Sequence, residues 1–146
     1  MLQSEKFVLN GKKDGKAVRL DIFAKDDEGR GYDIEMQSSN DPNDPLPLRA
    51  RYYVSMLDQE AINKGEHYRE LKQTFVIFIC NFALFGGERR MYTFNFRCNE
   101  DTSIKLNDNS TIVFLCSKGK SNSGIDKDIV SFLDYINDDS QIKSDF

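Results

Sequence analysis

The sequence predicts a single domain, residues 1–146, of the α/β (α+β) class, with a mixed central sheet flanked by helices. Three observations predict it. Residues 17–25 and 32–37 alternate apolar and polar side chains with the period of a strand. Residues 48–64 repeat apolar side chains at helical spacing instead. Residues 74–82 form a continuous apolar run of the kind that fills the middle of a sheet. The expected order is strand, strand, helix, strand, strand, strand, helix.

In the first stretch Val18, Leu20, Ile22 and Ala24 share one face, and Arg19, Asp21 and Phe23 share the other. In the second, Ile34 and Met36 oppose Asp33, Glu35 and Gln37. Between them lies Asp26-Asp27-Glu28-Gly29-Arg30, and a loop over 27–29 places glycine where left-handed backbone is wanted, which reads as a hairpin. Residues 38–47 hold all three prolines, Pro42, Pro45 and Pro47, and read as a connection within the domain. The helix follows, with Ala50, Tyr53, Val54, Leu57 and Ala61 on one stripe, Pro47 in its first turn and Gly65 just past its end. Residues 74–82, 91–96 and 111–116 are strands rich in β-branched and aromatic side chains. Ile129, Phe132, Leu133 and Ile136 mark a short amphipathic helix, and the acidic stretch after Asn137 is expected to fray.

Composition excludes several classes. No apolar run approaches the roughly 18 residues of a membrane span. Residues 1–10 lack the basic, apolar and small-residue order of a secretory signal, so the cytoplasm is the expected compartment. Cys80, Cys98 and Cys116 include no close pair, which argues against a zinc site or a disulfide framework, and Cys80 and Cys116 sit inside apolar runs, which reads as burial as small hydrophobes. The net charge of -4 offers no overall attraction to nucleic acid, but residues 1–20 carry five basic and two acidic side chains, so a local basic surface is open.

The hairpin holds the chemistry. If Asp26 pairs with Arg30, counting back along both strands sets Asp21 directly opposite Glu35. Opposed residues have Cβ atoms about 4.5 to 5.5 Å apart, and two carboxylates that close repel. A divalent cation would offset the repulsion. Hard ions such as magnesium take carboxylate and carbonyl oxygens, and the backbone carbonyl of Met36 offers one more. A polar face carrying charge by chance, or a strand pair whose register differs by one, is the alternative at this point.

The string Arg19-Leu20-Asp21-Ile22, Gly31-Tyr32-Asp33-Ile34-Glu35-Met36-Gln37, Arg49-Ala50-Arg51-Tyr52-Tyr53, Lys64-Gly65-Glu66-His67-Tyr68-Arg69-Glu70-Leu71 and Phe75-Val76-Ile77-Phe78-Ile79-Cys80 resembles the recombination-promoting nuclease / putative transposase family of the PD-(D/E)XK nuclease superfamily. The resemblance implies a restriction-endonuclease-like fold and a metal-dependent DNA endonuclease that hydrolyses phosphodiester bonds in recombination or in mobile elements. It implies Asp21 and Glu35 as catalytic metal ligands, with Gln37 where the superfamily usually has lysine. The implied cofactor is Mg2+, with Mn2+ able to substitute, and the implied partner is DNA; a homodimer is open. Two departures stand out. Only about 20 residues precede Asp21, fewer than the family's helical N-terminal part would need, so the expectation includes a truncated start. Residues 81–85 also carry Ala83 in a segment where relatives resemble one another in having an aspartate. The alternative function is therefore a catalytically inactive remnant that binds nucleic acid or protein.

Other features are weaker. Asp33 shares the face of Glu35 and is either an outer carboxylate or a solvated one. Arg49 and Arg51, two residues apart on the helix and so pointing in different directions, could contact the DNA backbone or belong to a solvated face; of the two, Arg51 is kept as the DNA-contact candidate. His67, the single histidine, is a candidate general base or a packing residue. Gly119-Lys120-Ser121 lacks the glycine that a phosphate-binding loop needs at position 114, which is Phe114, so a nucleotide cofactor is not expected.

Overall fold

The computed structural model describes residues 3–10, 19–62 and 65–137, with side chains for 22–62 and 65–137. The expectations for residues 17, 18, 63 and 64, for the N-terminal basic stretch and for the acidic stretch after Asn137 lie outside them. The strands are β1 (Gln3–Asn10), β2 (Arg19–Lys25), β3 (Gly31–Gln37), β4 (Thr74–Cys80), β5 (Met91–Phe94) and β6 (Ser110–Cys116). The helices are α1 (Leu46–Ala61), a short 3-10 helix at Tyr68–Glu70, and α2 (Lys127–Asn137). One six-stranded sheet runs β1-β2-β3-β4-β6-β5. It is mixed as expected: β1, β2 and β3 pair antiparallel, β3–β4 and β4–β6 pair parallel, and β5 pairs antiparallel with β6.

The hairpin forms as its loop chemistry requires. Gly29 has φ 78°, and its N–H donates to the Asp26 carbonyl at 3.0 Å. The Asp26 carboxylate accepts from the main-chain N–H groups of Glu28 and Arg30 and pairs with the Arg30 guanidinium. Burial acts to raise the Asp26 pKa, but these bonds outweigh it and bring it down to about 2.

Several elements differ from the sequence expectation; β4 and β5 each stop two residues short, at Cys80 and Phe94, where the chain leaves the ladder with β6. β1 was not expected, and its register slips between Ser4 and Lys6, which interrupts the alternation that would have marked it. α1 starts at Leu46, two residues early, because the Pro45 carbonyl accepts the first helical bonds from Leu48 and Arg49. It ends at Ala61 with Ile62 extended, so Gly65 (φ 93°) lies in the following turn and does not terminate it.

Each face of the sheet is covered by one helix. α1 packs Leu46 and Ala50 against Val76, Phe78, Cys80, Phe114 and Cys116. α2 packs Leu133 and Ile136 against Ile79 and Leu115, with Ile34, Met36, Ile77 and Val113 beside them. Alternate residues of β4 thus feed two cores, which is why its sequence is continuously apolar. Phe78 and Phe114 stack at 5.5 Å in the α1 core, adding about 1 kcal/mol to the area they bury. Cys80 and Cys116 are fully buried register partners with their thiols hydrogen-bonded, in line with the expectation of burial.

The Gly-Lys-Ser segment serves packing. A Cβ on Gly119 would sit 2.1 Å from the Arg89 carbonyl oxygen, so only glycine lets this loop cross the start of β5. Beside it, Arg90 is 5% exposed and donates to Asn122 at 3.0 Å and to Asp134 of α2 at 2.7 Å. Among the described residues no helix is long and apolar enough to cross a membrane.

Candidate active site

The β2–β3 ladder runs from Lys25–Gly31 to Asp21–Glu35, so the register set by the hairpin loop does bring Asp21 opposite Glu35. The side chain of Asp21 lies outside the described residues. Strand parity directs Asp33, Glu35 and Gln37 to the face that α1 covers. Asp33 is 0% exposed and Glu35 1%, so the reading of Asp33 as a solvated charge does not hold. The helix lies over that end of the strand, a fact that alternation alone does not encode.

A cluster forms around Glu35. The Arg49 guanidinium donates through Nη2 to Glu35 Oε2 at 2.6 Å and through Nη1 to Gln37 Oε1 at 3.1 Å. Gln37 Nε2 in turn donates to Glu35 Oε2 at 3.2 Å, so these two residues of one strand face are in contact. Arg49 Nη2 also donates to the Tyr53 hydroxyl oxygen at 3.2 Å. Its guanidinium lies 5.6 Å from the Tyr53 ring centre and 5.7 Å from that of Phe78. Asp44 is 3.6 Å from Nη1 at the outer edge.

Electrostatics follow from this enclosure. Burial acts to lower the Arg49 pKa, but the Tyr53 hydrogen bond and the Glu35 charge outweigh it and hold Arg49 above its ordinary value. The Tyr53 phenol is pushed up, first by burial and then by the Glu35 charge, against the opposing bond from Arg49. Arg49 is a cation and Tyr53 a neutral phenol at neutral pH.

Of the other predicted residues, Met36 packs its half-buried side chain on the α2 face, so its main-chain carbonyl is what it could offer an ion. Arg51 is exposed on α1 and takes no part in the cluster. His67 is exposed at the start of the 3-10 helix. Arg49 and Tyr53 are the residues that sequence reasoning missed. The available signal was their spacing of four on the stripe that carries Leu57, which puts Arg49 on the buried side.

The donor set fits a hard divalent cation: carboxylates at opposed positions of two adjacent strands, and a further buried carboxylate two residues before Glu35. Among the described residues, no group of three or more His, Cys, Asp or Glu side chains stands together as a metal cluster, and the Asp21 side chain is not among them.

A mixed sheet with a helix on each face and acidic strands at one end defines a restriction-endonuclease-like α+β fold. Residues 3–141 match the family described as PD-(D/E)XK nuclease family transposase, and the chain belongs to that family, with the nuclease and mobile-element role that it carries. No curated protein matches the chain, and no solved structure does.

Proposed function

We propose that the chain is a metal-dependent DNA endonuclease that hydrolyses phosphodiester bonds in recombination or mobile-element movement. The observation that carries the reading is the Asp21–Glu35 register pair, ending a ladder beside the Glu35–Gln37–Arg49 cluster. Asp21, Glu35 and the Met36 carbonyl would hold Mg2+, with Mn2+ as a substitute. The bound ion would lower the pKa of a coordinated water and offset charge on the scissile phosphate. Gln37 is neutral, so its part is to orient the attacking water or to donate to a phosphate oxygen. Burial of Asp33 and Glu35 keeps competing water off the carboxylates, and the exposed Arg51 is left for the DNA backbone.

The test is nicking of supercoiled plasmid with Mg2+ or Mn2+. Glu35→Gln is expected to abolish it; alanine is a poorer choice, because it removes a hydrogen-bonded ion-pair partner from a buried site. Nicking that survives Glu35→Gln refutes the assignment. The second reading, an inactive remnant that binds nucleic acid or protein, is favoured by the Arg49–Glu35 ion pair, which already neutralises the carboxylate. Calorimetry separates the two, since a remnant takes up no Mg2+ that depends on Asp21.

A further inference from the structure

We propose that Arg49 is the cation that stabilises charge on the cleaved phosphate, an inference that rests on the nuclease reading above. Attack on a phosphodiester adds negative charge to the phosphoryl oxygens, and donors fixed in place where water is scarce stabilise it best. Gln37 brings no charge to the site, whereas Arg49 does. Its side chain is 10% exposed and is held by Glu35, Gln37 and Tyr53 while resting on two aromatic rings. The planar guanidinium therefore has its orientation set before any substrate arrives, and its fork of donors matches phosphate oxygens.

The geometry also explains how one residue can be stored and then used. Nη2 holds Glu35 while Nη1 holds Gln37, so a phosphate oxygen can replace Glu35 at Nη2 with the Gln37 bond and the ring contacts kept. Arg49 stays protonated throughout and only donates. As a purely structural element the pair is poorly motivated. Desolvating two charges costs about what their attraction returns, and an apolar pair would fill the same space between α1 and β3.

The experiment uses the full chain and three variants: Arg49→Met, Arg49→Lys, and Arg49→Met with Gln37→Lys. Mn2+ binding is titrated by calorimetry without DNA, and plasmid nicking is followed at saturating Mn2+, well below each variant's melting temperature. Removing a cation beside the carboxylates is expected to tighten Mn2+ binding by about threefold or more in Arg49→Met. The same change is expected to lower kcat by about a hundredfold, with KM little altered. Arg49→Lys retains part of the rate, and Gln37→Lys restores about tenfold to Arg49→Met by returning a cation to the same spot. A structural Arg49 predicts the opposite pattern, with Mn2+ binding and nicking falling together and no rescue, and that result overturns the inference. Where the parent nicks and Arg49→Met nicks equally fast, the inference alone falls. Where the parent binds Mn2+ but cuts no DNA, the nuclease reading falls and takes the inference with it.

Discussion

Neutralising Glu35 and Arg49 separately and together tests the energetic account of the buried cluster without any appeal to activity. The variants are Glu35→Gln, Arg49→Met and the pair. At a charge separation of about 4 Å and an effective dielectric of about 20, the attraction is worth about 4 kcal/mol. Each partner has fallbacks that reduce the loss. After Glu35→Gln, Arg49 keeps Gln37, Tyr53 and Asp44, so the cost is about 2 kcal/mol. After Arg49→Met, Glu35 remains buried on the face it shares with Asp33, and the cost rises to about 3 kcal/mol. The double variant leaves no charge stranded between these two positions, so it should resemble the milder single, giving a coupling of about 2 to 3 kcal/mol. The assay is urea unfolding followed by far-UV circular dichroism at neutral pH without divalent metal. The melting temperature should fall by about 6 to 12 °C in Arg49→Met. A coupling below about 0.5 kcal/mol would show that the 2.6 Å contact contributes nothing beyond its two separate environments, and would refute the reasoning.

Three further outcomes are expected. A thiol reagent should modify Cys98 quickly and leave Cys80 and Cys116 unreacted until the domain unfolds: both are fully buried, and the hydrogen bond to Cys116 together with burial pushes the Cys80 thiol up; mass spectrometry of labelled peptides reads this directly. Gly119→Ala should cost about 3 kcal/mol in urea unfolding, because its Cβ meets a main-chain carbonyl that cannot swing aside, and a loss under about 1 kcal/mol would contradict the close crossing. The Asp26 pKa is about 2 in the folded chain against an ordinary 3.8, so its contribution to the hairpin is complete above the ordinary value and is lost as pH falls through about 2. Protection of the Gly29 and Arg30 amides, relative to their intrinsic exchange rates at each pH, should fall over that interval, and Asp26→Asn should abolish that fall.

How much could be read in advance varies with the physics that governs each element. The β2–β3 hairpin was legible because a glycine at the third loop position and the flanking Asp26 and Arg30 favour the pairing that places Asp21 against Glu35; a register shifted by one stayed open until the ladder was seen. β4 and α2 were legible because burial on two faces or on one stripe writes itself into composition. β1 was not, since the slip at Ser4 and Lys6 breaks the period that strand recognition needs. The limits of α1 were misjudged at both ends, where a carbonyl bond at Pro45 and the extended Ile62 decide, and neither has a sequence mark of its own. Around Glu35, alternation placed Glu35 and Gln37 on one strand face, while Arg49, which joins them in the cluster, was passed over for Arg51. An arginine on a helix is read as solvated by default; the spacing of Arg49 with Tyr53 and Leu57 marked its side of the helix, and the placement of α1 over the end of β3 turns that side into burial. The burial of Asp33 was hidden for the same reason.

Phe78 has a double allegiance. Its register partners are Glu35 on one side and Phe114 on the other, and one ring both completes the α1 core and forms part of the floor under Arg49. Tolerance at this position is therefore narrower than hydrophobicity alone would suggest. Leucine or methionine could restore the volume and keep the domain folded, yet would take away the flat surface on which the guanidinium rests. Directed evolution for thermal robustness that admits such replacements would be expected to deliver sturdy proteins with a loosened arginine, and so to trade away the chemistry unnoticed unless turnover is screened in parallel.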